Sequence, residues 1–377
     1  MKTPVNRRAR HHFDLPFRLA ALLGVAGQGL LFLTLALASL TTAIAADVED
    51  ADDLFRLGKY EDVIQQAAAE IKGNTREPGW ALLKIQAEMT LGRYKDAAGT
   101  LEAASRRYPL SLPLFLAGLD VRRFNGQANE ENTLLIRMER MILDSPYRYS
   151  APESQIAIGR FLLRRKVDPK RILDQCYNAV IKRAPHLVDA YLASAELALS
   201  KEDNALAVET LQKAPTKQAD QEPRYHYLLA LAFSSDDRTQ TAASLKKALE
   251  INPRHVDSLL LQADGLIDGE AYEDVEKVLQ QVLAINPSEP RAHAYRAVLA
   301  HLRNDEKAEN EAYQKAMEPW PRNPEVDTLI GRKLAQKYRF AEAAAHQRQA
   351  LDFDATYLPA KIELCQAGPV DIAIIST

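Results

Sequence analysis

An all-α solenoid of stacked helix pairs is the fold this sequence predicts, and three observations predict it. Pro185, Pro253, Pro287 and Pro321 are spaced by multiples of 34 residues, and steps of 34 from Pro185 also reach Ala219 and Ala355. Two beats end in nearly the same words, Ala248-Leu249-Glu250-Ile251-Asn252-Pro253 and Val282-Leu283-Ala284-Ile285-Asn286-Pro287. Counting back from each proline finds two short stretches whose apolar residues recur three or four apart, as one face of a helix requires. A fixed period of this size marks units that bury their faces against neighbours, not one closed core.

The elements follow in order. In the unit ending at Pro287 a first helix is predicted over residues 256–268, carrying Leu259, Ala263 and Leu266. A turn at Gly269-Glu270-Ala271 leads to a second helix with Val275, Leu279, Val282 and Leu283. The proline stops that helix because it lacks the N–H another turn would need. The first half is more degenerate. Leu57-Gly58-Lys59-Tyr60-Glu61-Asp62-Val63 and Leu91-Gly92-Arg93-Tyr94-Lys95-Asp96-Ala97 mark two turns, and Gly58, Gly92 and Gly126 are 34 apart. The beat then slips: 34 residues past Pro109 is Leu143, whereas the later frame extrapolates back to Ala151. About eight extra residues at 143–150 predict a longer loop or a helix extended by two turns.

These residues resemble the tetratricopeptide repeat. That family places small residues at positions 8, 20 and 27 of each unit and large ones at 4, 7, 11 and 24. The unit ending at Ala219 supplies Tyr191, Ala195, Ala198, Ala207, Leu211 and Ala214 there. The unit ending at Pro253 supplies Tyr225, Leu228, Ala232, Leu245 and Ala248. The next two supply Ala297, Ala300, Tyr313 and Ala316, then Gly331, Leu334, Ala343 and Ala350, with Glu309 in place of one small residue. The resemblance implies a right-handed superhelix of about nine helix–turn–helix repeats over residues 46–359. A related helical repeat of variable unit length is the structural competitor.

Residues 1–45 join a basic start (Lys2, Arg7, Arg8, Arg10, Arg18), an apolar run from Leu19 to Ile44 and an Ala43-Ile44-Ala45 site. This is the pattern of an export signal. The run is also close to the ~20 residues that cross a bilayer, so an uncleaved N-terminal anchor is the alternative. Either way the repeats are expected outside the cytoplasm, in the periplasm or cell envelope. The flanks of Arg7-Arg8 are poor for a twin-arginine signal. With five basic and one acidic residue in the leader, the remainder holds 43 basic against 50 acidic residues, a formal charge of −7. That argues against nucleic acid or an anionic membrane surface as partner, leaving membrane contact to the leader alone. The two cysteines, Cys176 and Cys365, fall in distant repeats, so no disulfide is expected, and Cys176 is read as a packed apolar residue.

No catalytic constellation is present: no His-Glu-x-x-His, no phosphate-cradling glycine loop, no Gly-x-Ser-x-Gly elbow. The expectation is a protein without catalysis, cofactor or metal. His293 and His301 share a helical face and read as polar surface. The resemblance implies instead a concave groove lined by first helices, at positions 2, 5, 9, 12 and 13. The candidates for contact with a protein or peptide are Glu196, His226, Phe233, Asp264, Asp268, His301 and Arg332. For each, plain inter-helix packing is the competing reading. The Lys/Asn/Arg set with which some relatives clamp a terminal carboxylate is absent at these positions.

Residues 360–377 hold an incomplete repeat and an apolar tail, Gly368-Pro369-Val370-Asp371-Ile372-Ala373-Ile374-Ile375-Ser376-Thr377. A solenoid needs a polar cap on its last face. Three explanations fit: a docking peptide, self-association through the uncapped repeat, or truncation of a longer product. Leader, Leu54–Ala67 and array together resemble the front of exported, planctomycete-type bacterial proteins that end in a zinc metallopeptidase-like domain. That resemblance implies a scaffold half without its catalyst, as the alternative to an exported interaction scaffold.

Overall fold

The computed structural model describes residues 48–366. The expected leader and the tail at 368–377 lie outside the described residues. The chain divides into a unit at Met1–Asp50 and a helical unit at Ala51–Thr377, and everything below concerns the second.

A helical stretch at 51–56 pairs with α1 (Tyr60–Lys72). The pairs that follow are α2 (Gly79–Thr90) with α3 (Tyr94–Arg107), and α4 (Leu112–Arg123) with α5 (Ala128–Asp144). Next, α6 (Pro152–Arg164) pairs with α7, which begins at Pro169–Ile172, passes through a π turn at Leu173–Tyr177 and ends as Asn178–Arg183. Then come α8 (Val188–Leu199) with α9 (Asn204–Gln212), and α10 (Pro223–Phe233) with α11 (Arg238–Ile251). The last pairs are α12 (Val256–Asp268) with α13 (Tyr272–Ile285), α14 (Pro290–Leu302) with α15 (Glu306–Met317), and α16 (Pro324–Gln336) with α17 (Phe340–Phe353). A single α18 (Leu358–Gln366) packs on α16 and α17. The described residues thus form nine pairs, a one-turn helix at Thr216–Ala219 and one further helix, with no strand.

Local chemistry sets the boundaries. Pro152, Pro223, Pro290 and Pro324 stand at the start of first helices, where a missing N–H costs nothing. Asp203, Asp237 and Asp305 cap second helices, each accepting from a backbone N–H of the first turn. Eight of the nine first helices are followed by a left-handed residue: Gly58, Gly92, Gly126, Lys166, Glu202, Glu270, Asn304 and Tyr338 all have positive φ. Between helices the close-packing positions carry no bulk. Ala195, Ala207, Ala248, Ala263, Ala316 and Ala350 are completely buried. At Gly331 an added Cβ would lie 2.9 Å from the Ala343 carbonyl and against the Gln347 amide.

The slipped beat is divided between two devices. α5 runs to 17 residues where α3, α11 and α13 have 14, about one turn more rather than two. A 3-10 turn at Pro146–Tyr149 takes up the rest, pinned by buried Tyr149, whose hydroxyl donates to the Leu110 carbonyl at 3.2 Å. The π turn in α7 absorbs an extra residue and drives Cys176 and Tyr177 into the core. Both cysteines are free thiols.

One relation organises the unit on a larger scale. The second superhelical turn docks on the first, with partners 192 to 196 residues apart. The Asn252 amide donates to Tyr60 Oη at 3.0 Å, and the Asn286 amide to Tyr94 Oη at 3.0 Å. Arg254 pairs with Glu61 at 2.7 Å and donates to the Gly58 carbonyl at 3.0 Å. Further along, Phe124 lies 5.8 Å from the Trp320 ring, and Lys166 Nζ donates to Thr356 Oγ1 at 2.5 Å.

Candidate functional site

First helices face the inside of the superhelix, and their polar residues form a ladder that runs from repeat to repeat. Asp189 accepts from Arg160 at 2.7 Å and lies 3.4 Å from Arg224 in the next repeat. Arg224 Nε also donates to Glu196 at 2.6 Å. One rung further, Arg291 joins Asp257 and Glu289, each at 2.7 Å. Beyond it, Asp264 accepts from Tyr295 Oη at 2.7 Å and from Arg332 at 3.2 Å. Lys333, with no exposed side-chain surface, bridges Asp264 at 2.7 Å and Asp268 at 2.8 Å.

Electrostatics keep the ladder charged. Burial alone would raise the Asp189 and Asp257 carboxyls, but Arg160 and Arg224 in one case and Arg291 in the other hold both below the usual range. Burial likewise opposes the charge on Arg224 and Arg291, and their carboxylate neighbours outweigh it. Glu325 is the exception. Loss of bulk solvent pushes it up against the pull of Arg291 and Arg123. Arg123 belongs to the first superhelical turn and Arg291 to the second, so the two turns share one interior field.

Four of the seven groove candidates lie on this ladder: Glu196, Asp264, Asp268 and Arg332, with side chains 34%, 18%, 40% and 44% exposed. Phe233 is half-buried at the end of α10. His226 and His301 lie elsewhere. His226 is buried, its Nε2 3.1 Å from the Asp220 carbonyl, and burial pushes its pKa down. His301 turns to its own partner helix, with Nδ1 3.0 Å from Glu309. Glu309 is the residue that replaces a small one in the repeat pattern, and this hydrogen bond is where its carboxylate goes. Leu192, Ala230, Leu260, Ala294 and Val298, at other groove positions, are buried in the core.

Sequence reasoning passed over Asp189, Arg224, Asp257, Arg291 and Lys333. The signal was present: in the 34-residue frame position 2 carries a charged residue in four of five units, Asp189, Asp257, Arg291 and Glu325, with Pro223 in the other. Among the described residues no group of three His, Cys, Asp or Glu side chains is placed to hold a metal ion. Among them, too, no helix is long and apolar enough to cross a membrane.

A family model for the tetratricopeptide repeat matches residues 232–302. No curated protein matches the chain in sequence. Among solved structures, the APC/C hetero-tetramer Cut9–Hcn1 is similar at a TM-score of 0.53 and 13% identity, over 81% of this chain and 59% of that one. A thermophilic tetratricopeptide-repeat protein of Thermus thermophilus shares 16% identity at a TM-score of 0.33, over 58% of this chain and 98% of that one. At 13% identity the likeness to Cut9–Hcn1 is one of fold. The fold is a tetratricopeptide-type α-solenoid, an architecture of protein–protein interaction scaffolds. The expected likeness to peptidase-linked proteins is not shown by these matches.

Proposed function

We propose that this chain is an exported scaffold of the periplasm or cell envelope that holds a peptide or a segment of a partner protein along its inner wall. The observation that carries this reading is the ladder itself. Its carboxylates and guanidiniums are fixed on rigid helices, yet Glu196, Asp268 and Arg332 stay one-third to almost one-half exposed. Such groups can exchange an internal partner for an incoming amide or charged side chain at little reorganisation cost. Specificity then comes from the order of signs along the wall, which favours one register of a bound segment over others. The formal charge of −7 outside the leader supports a protein partner over a nucleic acid.

The test is site-specific photo-crosslinking in cells. A photoreactive residue at Phe233 should capture a defined partner, and the same residue at Lys246, exposed on α11, should not. Equal capture from both positions, or none from Phe233, overturns the inner-wall reading. Export is checked on the same material. An N-terminus at Ala46, or membrane-bound full-length chain with protease-accessible repeats, supports it; soluble cytosolic protein beginning at Met1 does not.

A further inference from the structure

The place where the 34-residue beat breaks is also where the surface is least like that of a regular solenoid. Along α5, Ile136 and Arg140 fall on one helical face. Both lie off the face that buries Leu134 and Met138 in the core, the face on which Met141 packs. With the near edge of Met141 they line an open cavity of about 610 Å³, completed by Leu110 from the α3–α4 loop, Asp144 at the end of α5 and Arg148 from the 3-10 turn. In a solenoid, second helices form the outer layer, so this cavity faces away from the ladder.

Two properties of the cavity point to an occupant. Its floor is apolar and open to water: Leu110 and Ile136 are 47% and 41% exposed, which costs free energy unless something covers them. Its rim is mainly cationic, with Arg137, Arg140 and Arg148 against the one carboxylate of Asp144. Neither Arg140 nor Arg148 makes an ion pair among the described residues, and both are exposed. Their neighbour Arg137 is engaged differently, stacked on the Phe115 ring at 4.3 Å. An apolar floor between two unpaired guanidiniums complements a segment with an apolar anchor flanked by carboxylates. The cavity is concave, which suits an inserted side chain better than a flat lipid surface.

We propose that this outer cavity is a second docking site, which takes an acidic amphipathic peptide segment of a partner protein. The apolar anchor sits on Ile136 and Met141, and its carboxylates pair with Arg140 and Arg148. The site is independent of the inner wall.

The experiment is a selection of random displayed peptides on the full chain, with binding of the enriched peptides then measured by fluorescence anisotropy. Enriched peptides should carry Asp or Glu beside an apolar residue. Their affinity should fall about tenfold or more for Arg140→Glu with Arg148→Glu, and for Ile136→Asp, and stay unchanged for Arg332→Ala on the inner wall. All these sites are exposed, so unaltered circular-dichroism melts certify the fold of each variant. Absence of enrichment, or enrichment indifferent to the cavity substitutions, overturns the proposal. So does binding to phosphatidylglycerol vesicles that Arg140→Glu abolishes while no peptide is enriched, which would make the patch a membrane contact.

Discussion

Asn286 donates its side-chain amide to Tyr94 Oη at 3.0 Å across 192 residues of chain, and Asn252 meets Tyr60 in the same way. Each asparagine also folds its Oδ1 back onto the backbone N–H two residues on, at Arg254 and Ser288, which fixes the amide in its pose. The glycines opposite are there for two reasons at once. Gly58 and Gly92 are left-handed, and a Cβ on either would collide with the facing asparagine. Later repeats carry Glu202, Glu270, Asn304 and Tyr338 at the same left-handed position. Backbone conformation alone therefore tolerates a side chain there; the docking of a second turn does not.

Gly92→Ala should therefore destabilise by about 2–3 kcal/mol, summing a left-handed penalty of ~1–2 and a lost hydrogen bond of ~1. Glu202→Gly, which has the same backbone change in reverse and, among the described residues, no hydrogen bond or ion pair from a later repeat, should be neutral or stabilise by up to ~1 kcal/mol. Denaturant melts of the two variants decide the point. The double variant Asn252→Ala with Asn286→Ala should also expand the particle in small-angle scattering while leaving helix content unchanged. An unchanged radius of gyration would show that the seam does not hold the turns together.

Close packing within pairs gives a second expectation. Ala248 and Ala316 are completely buried where second helices approach their neighbours. A tryptophan at either position overfills the contact and should cost ~1–3 kcal/mol or more. Gly331→Ala is a gentler probe: the Ala343 carbonyl is backbone and cannot step aside, so a loss of about 1–3 kcal/mol is expected. A wild-type thermal melt for all three would contradict the repeat register.

What was legible in the sequence, and what was not, divides along the distance between partners. Helix bounds such as Val256–Asp268, and the small residues at Ala207, Ala248 and Ala350, follow from contacts inside one repeat, which periodicity records directly. Gly58 and Gly92 were visible as punctuation. Their reason was not, because Asn252 and Asn286 lie more than five repeats away and no local pattern links them. His226 and His301 fall off the ladder for another cause. A helical position fixes an angle to within a fraction of a turn, and a small rotation moves a side chain from wall to core. The Asp189, Arg224 and Arg291 rungs were hidden because each makes sense only with its partner on the next helix.

Acid should loosen the fold through buried histidines. Burial lowers the pKa values of His226, His255 and His293 below 6.5, with the acceptor carbonyls of Asp220 and Pro287 opposing it at His226 and His293. A base depressed in the folded state binds fewer protons there than in the unfolded chain. Its stabilising contribution is complete above about 6.5 and is lost as pH falls through that value toward the folded pKa. Unfolding free energy should thus drop between about pH 7 and 5. His226→Gln, which keeps a donor for the Asp220 carbonyl, should flatten the profile. A profile equally steep in the variant would assign the titration to other groups.

His301 and Glu309 test how the array accommodates an acid where a small residue is expected. His301 Nδ1 lies 3.0 Å from the Glu309 carboxylate, and its Nε2 is buried without a partner. Glu309→Ala restores the small residue but strands the imidazole, so it should cost about 1–2 kcal/mol. His301→Leu with Glu309→Ala removes both polar groups and should recover most of that loss, because an apolar pair of similar shape has nothing left unsatisfied. A double-mutant cycle measures the difference. Additive single effects would mean that the two residues do not act as a pair.

Lys333 carries the sharpest consequence of the inner ladder. Its side chain has no exposed surface, and its ammonium bridges Asp264 and Asp268 while also reaching the Asp264 carbonyl at 3.4 Å. Lys333→Met keeps the aliphatic stem and removes the charge. Asp264 would then keep Arg332 and Tyr295, whereas Asp268, 40% exposed, would turn to water. The loss should accordingly fall near ~2 kcal/mol, short of the ~3–5 typical of a buried charge left alone. Asp264→Asn should cost more than Asp268→Asn, because Asp264 serves three donors and Asp268 one. If instead the two aspartates prove equal, Lys333 is held by burial of its stem alone, and the charges along the inner wall are free to answer a ligand without disturbing the fold.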